Sequence, residues 1–356
     1  MALSFSNQTS NTPRVSVIIP VHNGAKCIGR CLNAVFASSY SPLEVIVVDD
    51  CSTDNTVALV RQKGVTAYQL PEKSGPATAR NYGAGCARGE ILLFIDSDVE
   101  VRKETIASVV EDFRQNPEIA AVFGSYDDAP AENNLLSQYR NLLHHFHCQQ
   151  SSTKAFSFWA GCGAIRKNIF KEFEGFNQKR YNKHSIEDIE LGYRICERGY
   201  QILLDKRLQV KHLKRWEFAQ MISTDIFLRA IPWSQLILES ECIPGDLNLK
   251  LHHKISSVLM ALLLFMIPLT ILECAVFHSV SVQLPGGILL LLMISILFLN
   301  RKLYAFFVMK KGVGFMVKAI PLHMLYYLYS GASFVFCWII HRFSLFKILH
   351  RGIETS

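Results

Sequence analysis

The ten cysteines of this 356-residue sequence form no CxxC pair and follow no regular spacing. This absence excludes a disulfide framework and favours reduced, buried thiols in a cytosolic compartment. Residues 1–14 are polar and lack the apolar core of a signal peptide, so we expect the N-terminal portion to stay on the cytoplasmic side. A disordered chain is excluded as well, because 50% of the residues are hydrophobic.

Acidic residues are scarce in the last part of the chain. The net charge is +7, yet the residues up to Asn248 include 27 basic and 28 acidic side chains. From Leu249 onward there are 10 basic and 2 acidic residues. Because this basic excess coincides with the most apolar part of the sequence, it indicates a membrane surface as the partner, and no nucleic acid.

Predicted strands and helices alternate over the first 95 residues. Near-continuous apolar runs, typical of strands buried on both faces of a parallel sheet, cover 15–20, 44–48, 65–70 and 90–95. Predicted helices cover 25–38, 54–63 and 76–88. This order predicts an α/β fold with an open sheet, and ligands bind such sheets at the carboxyl ends of the strands.

The pattern that follows is less regular. We predict helices at 103–115, 134–147 and 187–198, and short strands at 120–123, 156–159, 201–204 and 209–212. We expect all these elements to form one domain at 14–214, which is preceded by a polar tail at 1–13.

The remainder of the chain is predicted to associate with a membrane. Residues 215–250 are amphipathic and suit the membrane interface. Within 251–342, three apolar stretches reach the length of a bilayer crossing, at 255–275, 284–300 and 319–340. Five Lys and Arg residues between 301 and 318 place that segment in the cytoplasm. Three crossings put the basic tail, 343–356, outside, whereas its charge favours the inside, so two topologies stay open.

Two acidic pairs follow predicted strands. Asp96 and Asp98 offer hard oxygen ligands of the kind that Mg²⁺ or Mn²⁺ prefers. Asp49 and Asp50 can accept hydrogen bonds from a base or a ribose. The alternatives are a solvated turn for the first pair and a turn or helix cap for the second. The position of both pairs after buried strands favours the functional interpretation.

The segment 74–81 begins a predicted helix whose free N–H groups and dipole favour an anion. Arg80 lies about one turn into this helix, and its planar fork of donors suits phosphate. The alternative is a helix start with a surface cation.

Four motifs together resemble the nucleotide-binding half of inverting family 2 glycosyltransferases, which have the GT-A fold. The motifs are VSVIIPVHN at 15–23, VVDDCSTD at 47–54, SGPATARN at 74–81 and FIDSD at 94–98. Downstream, the glycines around Cys162 are similar to the acceptor loop of that family, and Ile186-Glu187-Asp188 is similar to its xED motif. The resemblance spans about residues 13–216. It implies a mixed, mostly parallel sheet flanked by helices, followed by transmembrane helices.

The resemblance also implies site residues and ligands. The donor is a nucleotide diphosphate sugar, the cofactor is a divalent cation, Mg²⁺ or Mn²⁺, and Asp188 is the general base. The donor-binding residues are Pro20, His22, Asn23, Asp49, Asp50, Arg80 and Asp96. The acceptor-side residues are Gly161, Cys162, Gly163, Glu187 and Trp216. The metal ligands are Asp96, Asp98 and His212.

Sugar transfer with inversion of configuration requires a carboxylate of this kind. A carboxylate opposite the leaving group must take the proton of the attacking hydroxyl. The alternative for Glu187 and Asp188 is complementation of a helix dipole, which contributes only about 0.3–1 kcal/mol. The family form QxxRW is absent around Lys214-Arg215-Trp216, which argues against processive polymerisation.

We therefore expect a multi-pass protein of the cytoplasmic (inner) membrane with its catalytic domain in the cytoplasm. Its expected reaction is sugar transfer to a hydroxyl of a lipid-linked or membrane-proximal saccharide, as in cell envelope polysaccharide synthesis. Two alternatives are a polyprenyl-phosphate sugar synthase, whose anionic acceptor needs little base catalysis, and an inactive sugar-nucleotide-binding protein. The histidines of 144–147 are expected to be solvated or acceptor-side rather than metal ligands.

Overall fold

The computed structural model describes residues 13–240, 250–277 and 283–354. The chain divides into two compact units. Unit 1 comprises Met1–Ser125 and Thr153–Leu213, and unit 2 comprises Tyr126–Ser152 and Lys214–Ser356. Residues 126–152, which lie inside the predicted domain 14–214, therefore group with the C-terminal helices.

Unit 1 is built on a sheet that has nine strands among the described residues. They are β1 (Val15–Val21), β2 (Leu43–Asp49), β3 (Ala67–Gln69), β4 (Ile91–Ile95), β5 (Val99–Glu100), β6 (Ile119–Tyr126), β7 (Lys154–Ala155), β8 (Cys162–Arg166) and β9 (Gln201–His212). Their order is β3-β2-β1-β4-β8-β6-β9-β5, and β7 pairs with β9. The pairs β1–β2, β1–β4 and β2–β3 are parallel, whereas β8 is antiparallel to β4 and β6. The predicted mixed, mostly parallel sheet is confirmed.

Helices of unit 1 flank this sheet. They are α1 (Ile28–Phe36), α2 (Thr56–Gln62), α3 (Pro76–Cys86), α4 (Thr105–Gln115), α6 (Lys167–Glu172) and α7 (Glu187–Glu197). In α1 the buried residues Ile28, Cys31, Leu32 and Val35 recur at helical spacing, so one face of this helix packs inward while the other stays polar. Strands β1 and β4 are buried along their whole length, as their uninterrupted apolar sequences predict.

The sheet topology gathers the site at one edge. Because β1, β2 and β4 are parallel, the loops that follow them leave the sheet at the same edge. Strand β8 runs the other way, and its register places Cys162 opposite Ile95. The segment before β8 therefore reaches the edge at which β4 ends.

Two strand predictions differ from the structure. Residues 156–159 form bends rather than a strand, and the strand nearby is the short β7. The predicted strands 201–204 and 209–212 form one continuous strand, β9. Asp205 accepts a hydrogen bond from the backbone N–H of Arg207 at 2.9 Å, so the polar residues between the two apolar runs stay within the strand.

Unit 2 is helical. Its described elements are α5 (Leu135–Gln150), α8 (Phe218–Asp225), a π-helical turn (Ile226–Ala230), α9 (Ile231–Glu239), α10 (Leu251–Phe277), α11 (Gln283–Leu299), α12 (Arg301–Lys311) and α13 (Val313–Glu354). Phe218 and Phe227, on the segment predicted to be interfacial, are 54% and 62% exposed.

Two segments of these helices are long and apolar enough to cross a membrane, Leu251–Ile271 and Val313–Phe343. Gly286–Leu299 and Arg301–Lys311 pass the same test together but are bent by 67° at the break between them. The described part of the chain thus contains two candidate spans, or three if the bent pair forms one. Candidate transmembrane helices follow the sheet, as predicted.

Candidate active site

The loops after β1 and β2 are joined by Asn23. Its backbone is in the left-handed region, with φ at 51°, which asparagine tolerates better than most residues. Its side-chain Oδ1 accepts a hydrogen bond from the N–H of Thr53 at 2.8 Å, and its own N–H donates to Ser52 Oγ at 2.8 Å. Pro20 lies within β1, buried and opposite Val48. The predicted donor-binding loop is therefore held rigidly from both sides.

The two carboxylates after β2 have different surroundings. Both oxygens of Asp50 accept backbone hydrogen bonds, from Ser74 at 2.6 Å and from Gly75 at 2.9 Å. Asp49 Oδ2 accepts from the N–H of Ser52 at 3.1 Å. Asp49 Oδ1 is buried and has no hydrogen-bond partner among the residues that the structure describes. Asp50 therefore holds the start of α3, whereas one buried oxygen of Asp49 keeps unused acceptor capacity, and donor binding by Asp49 stays a prediction.

Gly75 allows the close approach that this turn needs. Its φ is 85°, a value that favours glycine. A Cβ atom at this position would lie 2.5 Å from the carbonyl oxygen of Asn182. The turn before α3 thus packs directly against the backbone that precedes α7.

The imidazole of His22 has a defined tautomer. Its Nδ1 lies 2.7 Å from the carbonyl oxygen of Asp50, which can only accept, so Nδ1 carries a proton. Lys73 Nζ lies 3.0 Å from Nε2 and donates to it. The ring thus links the loop after β1 to the segment before α3.

Arg80 joins two acidic motifs inside the protein. Its side chain is 2% exposed, with Nη1 at 2.7 Å from Glu187 Oε1 and Nη2 at 2.8 Å from Asp96 Oδ1. Burial opposes its charge, but Asp96 and Glu187 outweigh burial and raise the pKa of Arg80. Burial likewise acts to raise the pKa of Glu187, yet the Arg80 guanidinium lowers it overall. Both ends of the guanidinium are thus occupied by carboxylates of the chain.

Asp188 is the second residue of α7 and is partly buried. Its Oδ2 accepts a hydrogen bond from the backbone N–H of Ala160 at 3.0 Å. Burial, and next the neighbouring charge of Glu187, raise the pKa of Asp188 to about 7, while Arg80 acts in the opposite direction. A carboxylate with a pKa near neutrality is suited to accept a proton at physiological pH.

The predicted metal ligands come from two elements. Asp98 precedes β5, which pairs with the end of β9 so that Val99 lies opposite His212. His212 Nε2 and Asp98 Oδ2 are 3.7 Å apart, and one oxygen of Asp96 contacts Arg80. Among the described residues no group of three His, Cys, Asp or Glu side chains could hold an ion. The donor set fits a cation that takes one or two protein ligands and completes its shell with phosphates and water.

The predicted acceptor loop is shaped by close packing. A Cβ atom on Gly161 would lie 2.3 Å from the ring of Trp159, and one on Gly163 would lie 2.3 Å from the carbonyl oxygen of Trp159. Cys162 between them is buried, and burial, together with the nearby Asp96, raises the pKa of its thiol to about 12. This thiol is therefore inert, and acceptor binding by the loop stays a prediction.

Trp216 belongs to unit 2 and is 3% exposed. Its N–H donates to Ser137 Oγ at 2.8 Å, and its carbonyl oxygen accepts from Asn134 Nδ2 at 2.7 Å. The guanidinium of Arg140 lies 4.7 Å and the ammonium of Lys214 lies 4.1 Å from its ring. These contacts fix Trp216 to α5, and its role toward an acceptor stays a prediction.

Sequence reasoning missed two contributors to the site. The N–H of Ala160 binds the Asp188 carboxylate, and the ring of Phe176 lies 5.6 Å from the guanidinium carbon of Arg80. A backbone donor carries no side-chain signal. Phe176 lies outside every motif, and only the folded chain brings it to Arg80.

The strand order of unit 1 is that of a GT-A type of fold. The family model described as Glycosyl transferase family 2 matches residues 16–173. The match covers less than half of the chain, and it marks this segment as similar to family 2 glycosyltransferases.

Similar proteins are found at the level of sequence and of structure. The chain is 30% identical over 131 residues to an uncharacterized glycosyltransferase of Haemophilus influenzae, covering 35% of this chain and 52% of that protein. It is 41% identical over 100 residues to the poly(ribitol-phosphate) beta-N-acetylglucosaminyltransferase TarS of Staphylococcus aureus, covering 26% of this chain and 18% of TarS. The matched segments thus span about half of these relatives or less.

A similar solved structure is the mannosyltransferase PcManGT from Pyrobaculum calidifontis, in complex with GDP-Man and Mn²⁺. The TM-score is 0.54 at 17% identity, and the match covers 92% of this chain and 88% of that chain. This likeness is one of fold.

Proposed function

We propose that the protein is a membrane-anchored inverting glycosyltransferase. It moves a sugar from a nucleotide diphosphate sugar to a hydroxyl of a lipid-linked or membrane-proximal saccharide. The observation that carries the proposal is the chain of contacts from Asp96 through Arg80 to Glu187, beside Asp188. These contacts connect the acidic residues after β4 to α7, where the pKa of Asp188 is raised to about 7.

Asp188 acts as the general base. Its Oδ2 is oriented by the Ala160 N–H, and each carboxylate oxygen keeps a lone pair beyond the hydrogen bonds it accepts from the backbone. The acceptor hydroxyl gives its proton to Asp188 as its oxygen attacks the sugar carbon from the face opposite the departing diphosphate. Glu187 stays ionised on Arg80 and holds α7 in place.

Asp98 and His212 would hold a divalent cation, Mg²⁺ or Mn²⁺, with Asp96 adjacent to it. When bound, the cation supplies positive charge at the diphosphate leaving group. The nucleotide lies against the loops after β1 and β2, where the free Oδ1 of Asp49 accepts a hydrogen bond from it. Asp50 serves the donor indirectly, because both its oxygens accept hydrogen bonds from Ser74 and Gly75. Arg80 is bound to Glu187 and Asp96 through Nη1 and Nη2, and its Nε keeps a donor without a partner among the described residues.

The two candidate spans, Leu251–Ile271 and Val313–Phe343, anchor the enzyme. A further crossing at 284–300, as expected from the sequence, would return the chain to the side of the soluble domain. The basic charge of 301–318 then supports the cytoplasmic face of the inner membrane for both. The acceptor class we infer is a lipid-linked or membrane-proximal saccharide of cell envelope polysaccharide synthesis, whose hydroxyls would be reached from this face.

Substituting Asp188→Asn tests the base. The variant keeps the size of the side chain but cannot take a proton, so we expect transfer to fall about 10²- to 10⁴-fold while donor binding persists. Donor binding is measured by thermal shift of the full-length protein with UDP-, GDP- and dTDP-sugars, with and without Mn²⁺. This screen also identifies the class of donor.

The matched control is Asp128→Asn, which breaks a partly exposed pair with Lys310 and should keep wild-type transfer. Wild-type turnover by Asp188→Asn on a hydroxyl acceptor would contradict the base assignment. Retained turnover on a polyprenyl phosphate alone would instead favour a polyprenyl-phosphate sugar synthase. Donor binding without transfer or hydrolysis in the wild type, with metal present, would indicate an inactive binding protein.

A further inference from the structure

Four histidines of unit 2 form a cluster that the proposed reaction does not use. The histidine cluster consists of His147 on α5, His252 and His253 in the first turn of α10, and His323 on α13. The ring centroids of His147 and His253 are 4.9 Å apart, and those of His252 and His253 are 3.9 Å apart. His147 and His253 are 7% and 6% exposed, and His323 is fully buried. Of the two expected roles, solvated or acceptor-side, burial excludes the solvated one for His147, and the acceptor-side role stays a prediction.

A hydrogen-bond chain fixes the orientation of His253. Tyr327 donates its hydroxyl proton to Asn300 Oδ1 at 2.7 Å, so its oxygen accepts from Nδ1 of His253 at 2.8 Å. Asn300 Nδ2 in turn donates to Ser256 Oγ at 3.1 Å. In the neutral ring, Nε2 of His253 is therefore an unprotonated acceptor.

The cluster leaves hydrogen-bonding capacity unused. The Nε2 atoms of His147, His253 and His323 are buried, and the described residues offer them no partner. Buried polar groups in proteins are nearly always paired. Three unpaired nitrogens on three helices therefore point to a ligand of this unit.

The charge around the cluster identifies the kind of ligand. From Leu249 onward the acidic residues of the sequence are Glu273 and Glu354 alone, whereas Lys250 directly precedes α10 and donates to the carbonyl oxygen of Gln150 at the end of α5. The first turn of a long helix also carries the positive end of its dipole. Burial, and next the neighbouring His323, lower the pKa of His147 well below its usual value. Among the described residues, the charged groups that act most on His147 and His253 are thus all basic.

We propose that the histidine cluster binds the phosphate of an anionic membrane lipid. A singly protonated phosphomonoester accepts hydrogen bonds from N–H groups and donates one to an unprotonated nitrogen, which matches both states of imidazole Nε2. A lipid is favoured over free phosphate because α10 and α13 are long and apolar enough to cross a membrane, and the cluster includes the first residues of α10. A metal ion is not favoured, since no described group of three side chains could hold one.

The test measures binding and does not require sugar transfer, so it can fail independently of the proposed function. Full-length protein, stripped of lipid in detergent, is titrated with a short-chain phosphatidate, with the diacylglycerol bearing the same tails, and with sodium phosphate. The thermal shift gives the apparent affinity. We expect stabilisation by phosphatidate alone, and about tenfold or greater weakening in His147→Gln and in His253→Gln.

Because these two side chains are buried, Lys250→Gln provides a second variant at a less buried position. It should weaken phosphatidate binding several-fold without changing the Tm of the lipid-free protein. His145→Gln is the matched control on α5, since His145 contacts the carbonyl oxygen of Tyr126 and stacks on Phe306, and it should bind as the wild type does.

Equal stabilisation by the diacylglycerol would overturn the phosphate assignment, and equal stabilisation by sodium phosphate would overturn the lipid. Unchanged phosphatidate affinity in folded His253→Gln and Lys250→Gln would overturn the site.

Discussion

Arg80 shows how packing decides the partners of a side chain that a motif identifies. Its Nη2 contacts Asp96 and its Nη1 contacts Glu187, and donor binding by Arg80 stays a prediction. No motif spacing reveals this arrangement, because Arg80 and Glu187 are 107 residues apart in the sequence. The acidic residues after β2 and β4 were recognisable because they end apolar runs. Their partners depend on packing that only the folded chain defines.

Arg80→Met should destabilise unit 1 strongly. The substitution keeps an unbranched side chain but leaves Glu187 and Asp96 without their counter-charge, which costs about 3–5 kcal/mol for a buried pair. Chemical denaturation measures the decrease in the free energy of unfolding. Arg88→Met is the control, since Arg88 is 76% exposed on Glu44, and such a pair contributes only about 0–1 kcal/mol. Equal stability losses in the two variants would contradict a buried bridge.

The rate of transfer should depend on the charge of Asp188. Its pKa is raised to about 7, and a general base must be unprotonated, so kcat/KM should rise with pH and level off above about 7. Measuring kcat/KM against pH with a neutral hydroxyl acceptor tests this rise. A rate that is flat between pH 5 and 8 would exclude Asp188 as the base.

At the scale of elements, α7 is positioned by a helical residue that must be small. A Cβ atom on Gly192 would lie 2.4 Å from the backbone nitrogen of Phe158, so this face of α7 packs on the segment just before the predicted acceptor loop. The same segment, 156–159, was predicted as a strand from its apolar residues, but the close helix prevents strand pairing there. The strands β1 and β4 were predictable, because burial along their whole length requires a continuous apolar run.

Gly192→Ala should move α7 and lower activity. Overpacking of this kind costs about 1–3 kcal/mol, and a shift of α7 carries Asp188 away from the Ala160 N–H. Gly85→Ala in α3 is the control, because nothing lies within 4 Å of its added Cβ, and alanine should stabilise that helix by about 0.5–1 kcal/mol. Both effects are measured by denaturation together with kcat. A Gly192→Ala protein as stable and active as Gly85→Ala would contradict the close approach.

At the scale of the whole molecule, the division into units was only partly predictable. The helix α5 was expected within the soluble domain, yet residues 126–152 group with the C-terminal helices. Its apolar face, including Tyr139, Leu142 and Leu143, packs in one core with Leu303 and Phe307 of α12. Helical periodicity identifies such a face but not the element that covers it. The apolar stretches near the C-terminus were predictable, because length and composition alone define a candidate span.

Phe265→Arg should impair membrane association. Phe265 is 64% exposed on the candidate span of α10, and an arginine in the centre of a span costs about 2.5–3.5 kcal/mol on insertion scales. The fraction of protein that stays with membranes after an alkaline wash should fall. Met309→Arg, at a 71% exposed position beside Lys310, should behave as the wild type does. Equal retention of both variants would argue against α10 as a span.

The path of the chain between Arg80 and Glu187 has a consequence for biosynthesis. After β6 the polypeptide leaves unit 1, forms α5 in unit 2, and only then returns to supply α7. A nascent chain that has emerged from the ribosome only as far as α5 holds Arg80 with a single carboxylate partner. Catalytic competence therefore arises late in translation, after the first helix of the second unit has been made, and metal-dependent donor affinity in stalled ribosome complexes should appear only once β9, with His212, is outside the exit tunnel.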